Sequence, residues 1–388
     1  MSAANLPKGV EELRHRPVDT LISSLIESRP DATLAKIIGL FREHEAYEVF
    51  FPEGTRCGVI SVRDVLRTTN IETAKPSNAM SYVPLVEQNA IVSEVARLMT
   101  DYRVRAVPIS DGRKVIGQVN CATILRELKG KIGDSSRITT LATENPITID
   151  RMASANKARD LLIRKRIDHL PVTSEGRKLT GMLTSGHVVE RMVPRERVGS
   201  KSMQPETRRG FEFPVGDATE PNPLSCSPES STEHALDLML KSTRTAILVT
   251  QWEEIQAIAT QRDFMGLLAE VEPEPEVPIF MIGLPEDPFE AEATKAKFKR
   301  TINQLHRSFP DILEARSVIK SKFTKPGKER GRYEVTVHIR TIRNSYSYSE
   351  EGWELPAVYD VITDRLKRLL TQKTKRRRMR ERETQEII

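Results

Sequence analysis

The 388-residue sequence has few cysteines, and their scarcity excludes two classes of protein. Cys57, Cys121 and Cys226 are odd in number and far apart, so they form neither a disulfide framework nor a CxxC metal half-site. We expect Cys57 and Cys121 to be small core residues, because both lie in strand-like stretches. The seven histidines have no further His, Cys or carboxylate at metal-ligand spacing, which argues against a zinc or iron site.

Long apolar runs are also missing: none approaches the roughly 20 residues that span a bilayer. Residues 1–8 lack the apolar segment of a signal peptide. We therefore expect a cytoplasmic protein without membrane association. The sequence contains no P-loop, no Ser-His-Asp set and no paired carboxylates in a Gly-rich setting, so it predicts no enzyme. His169 and His187 are interpreted as packed or solvated residues rather than as bases.

The charge is unevenly distributed along the chain. Residues 277–388 contain 24 Lys and Arg against 16 Asp and Glu, a net charge of +8. Residues 1–276 contain 36 against 38, a net charge of −2. A near-neutral body is therefore joined to a basic C-terminal part. This asymmetry indicates an anionic partner that contacts one end of the molecule, and nucleic acid is the obvious candidate.

The body contains an internal repeat. Residues 103–120 and 166–184 match each other, and each reads as a strand, a Gly-containing turn and a second strand. An amphipathic helix precedes each segment and a short helix follows it. Weaker copies at residues 34–61 and 235–260 flank this pair. The chain thus carries four helix–strand–strand–helix units, which we number 1 to 4 in chain order.

This unit resembles the CBS domain, the cystathionine-β-synthase-type regulatory module. The resemblance rests on a small residue in the hairpin, then Ser or Thr, then Arg-Asp at the start of the last helix. Residues 58–64 (GVISVRD) match in full, and residues 257–263 (AIATQRD) match except at the glycine. Unit 3 keeps Thr184 but has His187 in place of the Asp, and unit 2 departs at both positions. Because two units form one module in this family, the resemblance implies two modules, residues 1–135 and 136–272.

The motif suits a phosphate-bearing nucleotide. The hydroxyl of Ser61 or Thr260 can cap the following helix, whose N-terminal amides attract phosphate. The carboxylate of Asp64 or Asp263 can accept hydrogen bonds from both ribose hydroxyls. The resemblance implies an adenine nucleotide such as AMP, ADP or ATP, with no cofactor required, at units 1 and 4 rather than at units 2 and 3. The candidate nucleotide-binding residues are Ser61, Arg63, Asp64, Thr184, Thr260, Arg262 and Asp263. The alternative is an ordinary helix cap with an acidic first turn that binds nothing.

The C-terminal part follows an acidic linker with alternating prolines, residues 273–278. Residues 279–388 predict the element order β-α-β-β-β-α, in which two helices cover one sheet face, so the fold class of the whole chain is α+β. A basic turn is expected at residues 322–332. The apolar stripe of the last helix is predicted to consist of Leu355, Val358, Ile362, Leu366 and Leu369.

This part resembles the ribosome hibernation-promoting factor and sigma-54-modulation family. Residues 333–339 (YEVTVHI) and 355–377 carry the resemblance, whereas the less apolar strand at 344–348 (NSYSY) departs from it. Members of that family bind the small ribosomal subunit where mRNA and tRNA would lie, so the resemblance implies 16S-type rRNA as the partner. Basic helices on a rigid sheet can neutralise rRNA phosphates without reading sequence.

The candidate RNA-binding residues lie in the two helices of this part. They are Lys295, Lys299, Arg300, Lys367, Arg368, Lys373, Lys375, Arg376, Arg377, Arg378 and Arg380. Tyr346 and Tyr348 either stack on bases or form a surface hairpin. For the terminal basic run, a solvated tail or a localisation signal is the alternative to RNA contact.

Three functions are compatible with these features. The leading hypothesis is a non-enzymatic, translation-silencing ribosome hibernation factor whose body senses adenine nucleotide or bridges ribosomal surfaces. The second is a CBS regulator that controls a metabolic enzyme or transporter. The third is a DNA-binding regulator, which ranks last because no helix-turn-helix signature occurs. The sequence leaves open whether the body contacts rRNA or the large subunit, whether ribosomes are dimerised, and whether the chain self-associates.

Overall fold

The computed structural model describes residues 6–54, 56–68, 74–174, 178–192, 213–269, 277–285, 288–323, 331–342 and 344–385, except the side chains of residues 78, 192, 288–289, 322–323, 331 and 372–385. It consists of two compact parts, Met1–Glu270, which we call the body, and Val271–Ile388, which we call the C-terminal domain. Both mix helices and sheets, which confirms the predicted α+β class. In the described part of the chain, no helix combines the length and apolarity needed to cross a membrane.

Units 1 and 2 follow the short helix α1 (Lys8–Arg14) and have the predicted helix–strand–strand–helix order. Unit 1 comprises α2 (Leu34–Glu43), β1 (Glu48–Glu53), β2 (Arg56–Ser61) and α3 (Val62–Val65). Unit 2 comprises β3 (Ser81–Val83), β4 (Val86–Glu87), α4 (Val92–Tyr102), β5 (Ala106–Ser110), β6 (Val115–Asn120) and α5 (Cys121–Leu128). Their strands form two three-stranded sheets, ordered β1-β2-β3 and β4-β5-β6.

Units 3 and 4 repeat this order and share one seven-stranded sheet. Unit 3 comprises β7 (Thr143–Glu144), β8 (Ile149–Asp150), α6 (Ala155–Arg164), β9 (His169–Ser174), β10 (Lys178–Thr184) and α7 (Ser185–Met192). Unit 4 comprises β11 (Ser225–Cys226), α8 (Thr232–Lys241), β12 (Ala246–Gln251), β13 (Glu254–Thr260) and α9 (Gln261–Leu268). The strand order is β11-β12-β13-β10-β9-β8, and β7 pairs with β13.

Every unit turns from its first helix into its first long strand in the same way. A single residue shortly after the helix adopts a left-handed backbone, with φ of 49° at Glu45, 55° at Arg103, 51° at Arg166 and 54° at Thr243. A non-glycine residue in this region costs about 1–2 kcal/mol, so four equivalent cases indicate one shared turn rather than chance. The residue two positions later immediately precedes the strand, and it therefore holds an equivalent place in all four units.

The hairpin glycines of the repeat let a neighbouring segment approach closely. A Cβ added at Gly117 in unit 2 would lie 2.5 Å from the carbonyl oxygen of Ser23, in the segment that leads into unit 1. A Cβ added at Gly181 in unit 3 would lie 2.6 Å from the carbonyl oxygen of Glu220, in the segment that leads into unit 4. Both segments form backbone bridges with the strand that they approach. Consecutive units are therefore tied together by the segments that precede them.

Each of the two large apolar cores of the body joins units that are not consecutive, and the first also includes strand residues of unit 1. One core cluster holds residues of units 2 and 4, such as Met99, Leu125 and Phe264. A second cluster joins unit 1 to unit 3, for example through Ile60 and Leu162. Cys57 and Cys121 are buried in the first cluster, as predicted. Apolar helix faces thus join unit 2 to unit 4 and unit 1 to unit 3, and strand residues of unit 1, such as Cys57, also belong to the first cluster.

The C-terminal domain has the predicted element order. Its elements are β14 (Ile279–Ile282), α10 (Pro288–Ser308), β15 (Ile312–Phe323), β16 (Gly331–Thr341), β17 (Ser345–Gly352) and α11 (Leu355–Gln385), with the strands in the order β14-β15-β16-β17. Both helices contribute to the apolar core on one sheet face: Phe298 packs on Tyr359, with ring centroids 5.6 Å apart, and the Tyr359 hydroxyl lies 2.6 Å from that of Ser317.

Two details of this domain differ from the prediction. The stripe of α11 ends with the buried Leu370 rather than with Leu369, which is exposed, because steps of four residues keep Leu370 on the same helix face as Ile362 and Leu366. Strand β15 continues to Phe323, past the start of the expected turn at 322–332, and residues 324–330 lie outside the described part. The linker prediction at 273–278 falls mostly on residues outside the description as well, and the module boundaries stay predictions.

Candidate functional site

The unit 1 motif forms a closed helix cap. One oxygen of the Asp64 carboxylate accepts hydrogen bonds from the Ser61 amide at 3.0 Å and the Ser61 hydroxyl at 2.6 Å. Arg67 donates to the other oxygen at 2.8 Å. Burial alone would raise the pKa of Asp64, but the Arg67 and Arg63 guanidinium groups and the Ser61 hydrogen bonds outweigh it and lower this pKa below its usual value. Both carboxylate oxygens are therefore engaged within unit 1 itself.

The unit 4 motif uses the same cap. The Asp263 carboxylate accepts from the Thr260 amide at 2.6 Å and from the Thr260 hydroxyl at 2.8 Å. Burial raises the pKa of Asp263, and the two hydrogen bonds from Thr260 only partly oppose this effect. The Thr260 hydroxyl, like that of Ser61, therefore donates its hydrogen bond to the carboxylate of its own motif.

The other two units build the cap from different acceptors. In unit 2 the Asn120 side-chain oxygen accepts from the Thr123 amide at 2.8 Å and from its hydroxyl at 2.9 Å. In unit 3 the His187 amide donates to the Thr184 hydroxyl oxygen at 3.2 Å, and the Thr184 amide donates to His187 Nδ1 at 3.3 Å. An imidazole thus replaces the carboxylate in the unit 3 cap.

A cavity of about 190 Å³ adjoins the unit 3 cap. We call it the unit 3 cavity. Residues of units 3 and 4 and of the segment between them form its wall: His169, Met182, Thr184, His187, Glu220, Pro223, Leu224, Thr243, Arg244, Thr245 and Ala246. An ion pair between Arg244 and Glu220 lies in this wall. Apolar atoms and hydrogen-bond donors therefore share one concave site.

The four residues that immediately precede the equivalent strands meet at one place, which we call the four-unit junction. They are Tyr47, Arg105, Asp168 and Thr245, one from each unit. The Arg105 guanidinium carbon lies 3.8 Å from the Tyr47 ring centroid, and the Tyr47 hydroxyl donates to the Asp168 carboxylate. His169 Nε2 lies 2.6 Å from the Thr245 hydroxyl oxygen.

The motif arginine of unit 1 is part of this junction. Arg63 donates to the Asp168 carboxylate at 3.0 Å, and Arg105 approaches the same carboxylate to 3.8 Å. Burial would raise the pKa of Asp168, but the cations of Arg63 and Arg105 and the Tyr47 hydrogen bond hold it well below its usual value. Asp168 is therefore ionised at neutral pH, and Arg63 holds units 1 and 3 together.

Burial shifts the pKa of three further groups at the junction. It raises the pKa of Glu48 to about 8, so this carboxyl group, which accepts from the Arg105 amide at 2.7 Å, is mostly protonated at neutral pH. It lowers the pKa of His169 to about 3, which keeps the imidazole neutral. It also lowers the pKa of Arg262 to about 10, with help from Arg103 and Arg63, and Arg262 stays charged.

A second cavity, of about 220 Å³, opens beside the junction. Its wall contains Arg105 and Tyr47 and, from helix α2, Ile38, Phe41 and Arg42. It shares His169, Thr184 and Thr245 with the unit 3 cavity, so the two cavities adjoin. We call it the junction cavity.

The structure separates the residues that the sequence analysis grouped as nucleotide-binding. Thr184 lines both cavities, whereas Ser61, Asp64, Thr260 and Asp263 line neither of these two and form caps. Sequence reasoning missed Arg244, Arg105 and Tyr47. The usable signal was their spacing, one or two residues after the helix-to-strand turn of each repeat.

The candidate RNA-binding residues all lie in α10 and α11. Lys367 and Arg368 are exposed, and Lys295 forms a partly exposed ion pair with Glu292 at 3.4 Å. Lys299 and Arg300 are half-buried on α10. Six of the candidates, Lys373, Lys375, Arg376, Arg377, Arg378 and Arg380, belong to the continuous helix α11, but their side chains lie outside the described residues. The two hairpin tyrosines, Tyr346 and Tyr348, pack partly against the domain core.

Comparisons with known proteins agree with the repeat. Residues 79–130 and 138–194 match the family model of the CBS domain. The chain is 33% identical over 112 residues to the protein YlbB of Bacillus subtilis. This match covers 28% of this chain and 75% of YlbB. The chain is also 22% identical over 340 residues to the protein MJ1404 of Methanocaldococcus jannaschii. This match covers 86% of this chain and 80% of that protein.

A solved structure supports the same fold for the body. Protein MJ1225 from Methanocaldococcus jannaschii is similar with a TM-score of 0.58 and 17% identity, over 66% of this chain and 100% of that chain. The chain belongs to the CBS-domain family. Its body contains CBS domains arranged as two CBS pairs.

Proposed function

We propose that the body binds an adenine nucleotide in the unit 3 cavity and that the C-terminal domain attaches the protein to rRNA of the small ribosomal subunit. The protein is then a non-enzymatic silencer of translation that responds to nucleotide. The observation that carries the nucleotide part is the composition of the unit 3 cavity, in which apolar side chains face hydrogen-bond donors and a guanidinium group.

An adenine nucleotide needs an apolar surface for its base and donors for its phosphate. Met182 and Leu224 supply the apolar surface, and Arg244 and Thr184 supply donors. The adjoining junction cavity adds Arg105, within reach of a ligand that extends past Thr184. The CBS family assignment supports the same ligand class, because CBS pairs are typically regulatory modules for adenine nucleotides.

Titration calorimetry of the full chain with AMP, ADP, ATP and S-adenosylmethionine tests the nucleotide part. Arg244→Ala should weaken binding by about tenfold or more, because a charge-assisted hydrogen bond to phosphate is lost. Arg137→Ala is the matched control, since Arg137 forms an exposed ion pair with Glu229 away from both cavities. No binding of any of the four ligands would refute the nucleotide part.

The rRNA part rests on the charge of residues 277–388 and on the exposure of Lys367 and Arg368 on a 31-residue helix. Such a helix can neutralise several phosphates, and affinity from phosphate contacts falls steeply with salt. Co-sedimentation of the full chain with purified ribosomal subunits at two salt concentrations tests it.

Charge reversal of Arg376, Arg377 and Arg378 to Glu should abolish this association. Reversal of Arg164 and Lys165, two exposed cations of the body, should leave it unchanged. Association that persists in the first variant would show that helix α11 is not the anchor. A chain that binds nucleotide but no ribosome would favour control of a metabolic enzyme or transporter instead.

A further inference from the structure

The unit 3 cap differs from the caps of units 1 and 4 in what its hydroxyl does. The Ser61 hydroxyl donates to Asp64, and the Thr260 hydroxyl donates to Asp263. In unit 3 the Thr184 hydroxyl accepts from the His187 amide but donates no hydrogen bond within the described part of the chain. Its proton is thus available to a ligand, and Thr184 lines both cavities.

The imidazole of His187 also removes the acceptor that a carboxylate would supply. Nδ1 accepts the Thr184 amide, which assigns the ring proton to Nε2. Burial lowers the pKa of His187 below its usual value, although Glu220 and Glu190 oppose this, so the ring is neutral at neutral pH. The Met182 carbonyl accepts a hydrogen bond from the ring N–H, which also opposes the effect of burial on this pKa. Neither ring nitrogen can therefore accept a ribose hydroxyl.

One carboxylate does line the unit 3 cavity, but it is already held. Glu220 forms an ion pair with Arg244 across the cavity wall. Its backbone is fixed by a two-way bridge with Met182, with N–H to O distances of 2.9 Å in both directions. The Thr184 hydroxyl and those N–H groups of Arg244 that do not face Glu220 then remain for a ligand, and both are donors.

We propose that the unit 3 cavity recognises an acceptor group of its ligand, a phosphate oxygen, and does not read the ribose hydroxyls. His187 is the specificity-determining residue, because it replaces the carboxylate of units 1 and 4 and leaves the Thr184 hydroxyl as a donor. This inference rests on the proposed nucleotide binding and deepens it. Nucleotides with and without ribose hydroxyls are expected to bind this site alike.

Calorimetry of the full chain with AMP and with 2′,3′-dideoxy-AMP tests the inference. The two dissociation constants should agree within about threefold, because no acceptor for the sugar hydroxyls is lost or gained. Thr184→Val should weaken both ligands by about tenfold, whereas Thr184→Ser, which keeps the hydroxyl, should not. Asp263→Asn should change neither affinity if the ligand lies in unit 3.

Substitution at His187 provides the decisive comparison. His187→Asp recreates the cap of unit 4, in which one oxygen of Asp263 accepts both hydrogen bonds from Thr260. The other oxygen of the new carboxylate should accept the sugar hydroxyls, so the variant should prefer AMP over the dideoxy nucleotide by about tenfold. His187→Asn is the control: it keeps an acceptor for the Thr184 amide, as Asn120 does in unit 2, and should bind both ligands alike.

The outcomes separate the inference from the proposed function. If the wild-type chain prefers AMP by tenfold, the inference is wrong and nucleotide binding stands. If Asp263→Asn abolishes binding and the His187 variants do not change it, the ligand lies in unit 4 and the inference is also wrong. If neither nucleotide binds the wild-type chain, the proposed function fails and the inference falls with it.

Discussion

Units 1 and 3 begin their last helices with the same backbone geometry and different chemistry. In unit 1 the Asp64 carboxylate is enclosed by Ser61 and Arg67. In unit 3 the His187 imidazole completes the cap and leaves the Thr184 hydroxyl as a donor beside a cavity. A segment that matches the binding motif well can therefore be a helix cap whose polar groups are bonded within its own unit. A segment that matches the motif less well can line a cavity.

Units 1 and 3 also contact each other through the ion pair between Arg63 and Asp168. Its removal should have the largest effect on the free energy of unfolding. Asp168→Ala would leave Arg63 and Arg105 buried without their carboxylate and should lower the free energy of unfolding by about 3–5 kcal/mol. Urea unfolding at pH 7 measures the change. Asp160→Ala, which removes a half-exposed carboxylate near Arg164, should cost less than about 0.5 kcal/mol.

Asp168→Ala should also change how the free energy of unfolding depends on pH. The pKa of Asp168 is lowered in the folded chain, so its stabilisation is complete above the unfolded pKa of about 3.9 and is lost as the pH falls through the folded value. The wild-type chain should therefore lose stability more steeply below about pH 4 than Asp168→Ala does. Equal slopes would contradict the assignment of an ionised Asp168.

Glu48 should show the opposite pH dependence, with a smaller effect. Its pKa rises from an ordinary value to about 8 on folding, so the folded chain holds a proton that the unfolded chain lacks, and stability falls as the pH rises from about 4.3 to 8. Glu48→Gln keeps the acceptor for the Arg105 amide and should stabilise the chain by about 1–3 kcal/mol at pH 8, with little change at pH 4. Denaturant titrations at both pH values measure this, and a loss of stability at pH 8 would refute it.

The caps of units 1 and 3 can be compared directly through the free energy of unfolding of two variants. Asp64→Ala should lower the free energy of unfolding by about 1–3 kcal/mol, because two hydrogen bonds and the Arg67 contact are lost in a buried place. His187→Ala should cost about 0.5–1 kcal/mol, since it removes the longer hydrogen bond from the Thr184 amide and the contact of the ring with the Met182 carbonyl. Urea unfolding compares the two variants. A larger loss at His187 would reverse our view of which cap is structural.

Much of the fold could be predicted from the sequence, because its periodicities are local. The alternation in residues 333–339 predicts the buried face of β16, where Val335, Val337 and Ile339 are in the core. The order of elements in the C-terminal domain is confirmed. The predicted link of that domain to the ribosome stays a proposal, since it depends on side chains of α11 that lie outside the description.

The site could be predicted only in part. Thr184 was recognised from the motif, and His187 was recognised as a departure from it. Their importance depends on Arg244 and Glu220, which are distant in the chain. Glu220 reaches the cap because Gly181 admits the segment that leads into unit 4, and Arg244 forms an ion pair with Glu220. Nothing in the local sequence around Thr184 encodes that approach.

By itself the sequence determined four copies of one supersecondary unit, the N-cap at the end of each hairpin, and a basic second domain, because hydrophobic period, capping residues and charge are local properties. Only the tertiary structure decided which caps adjoin a cavity and which polar groups meet. Tyr47, Arg105, Asp168 and Thr245 occupy equivalent positions in four units, yet they form ion pairs and hydrogen bonds only because the packing of those units brings them together out of water. Burial then sets their ionisation, as the raised pKa of Glu48 and the lowered pKa of Asp168 show.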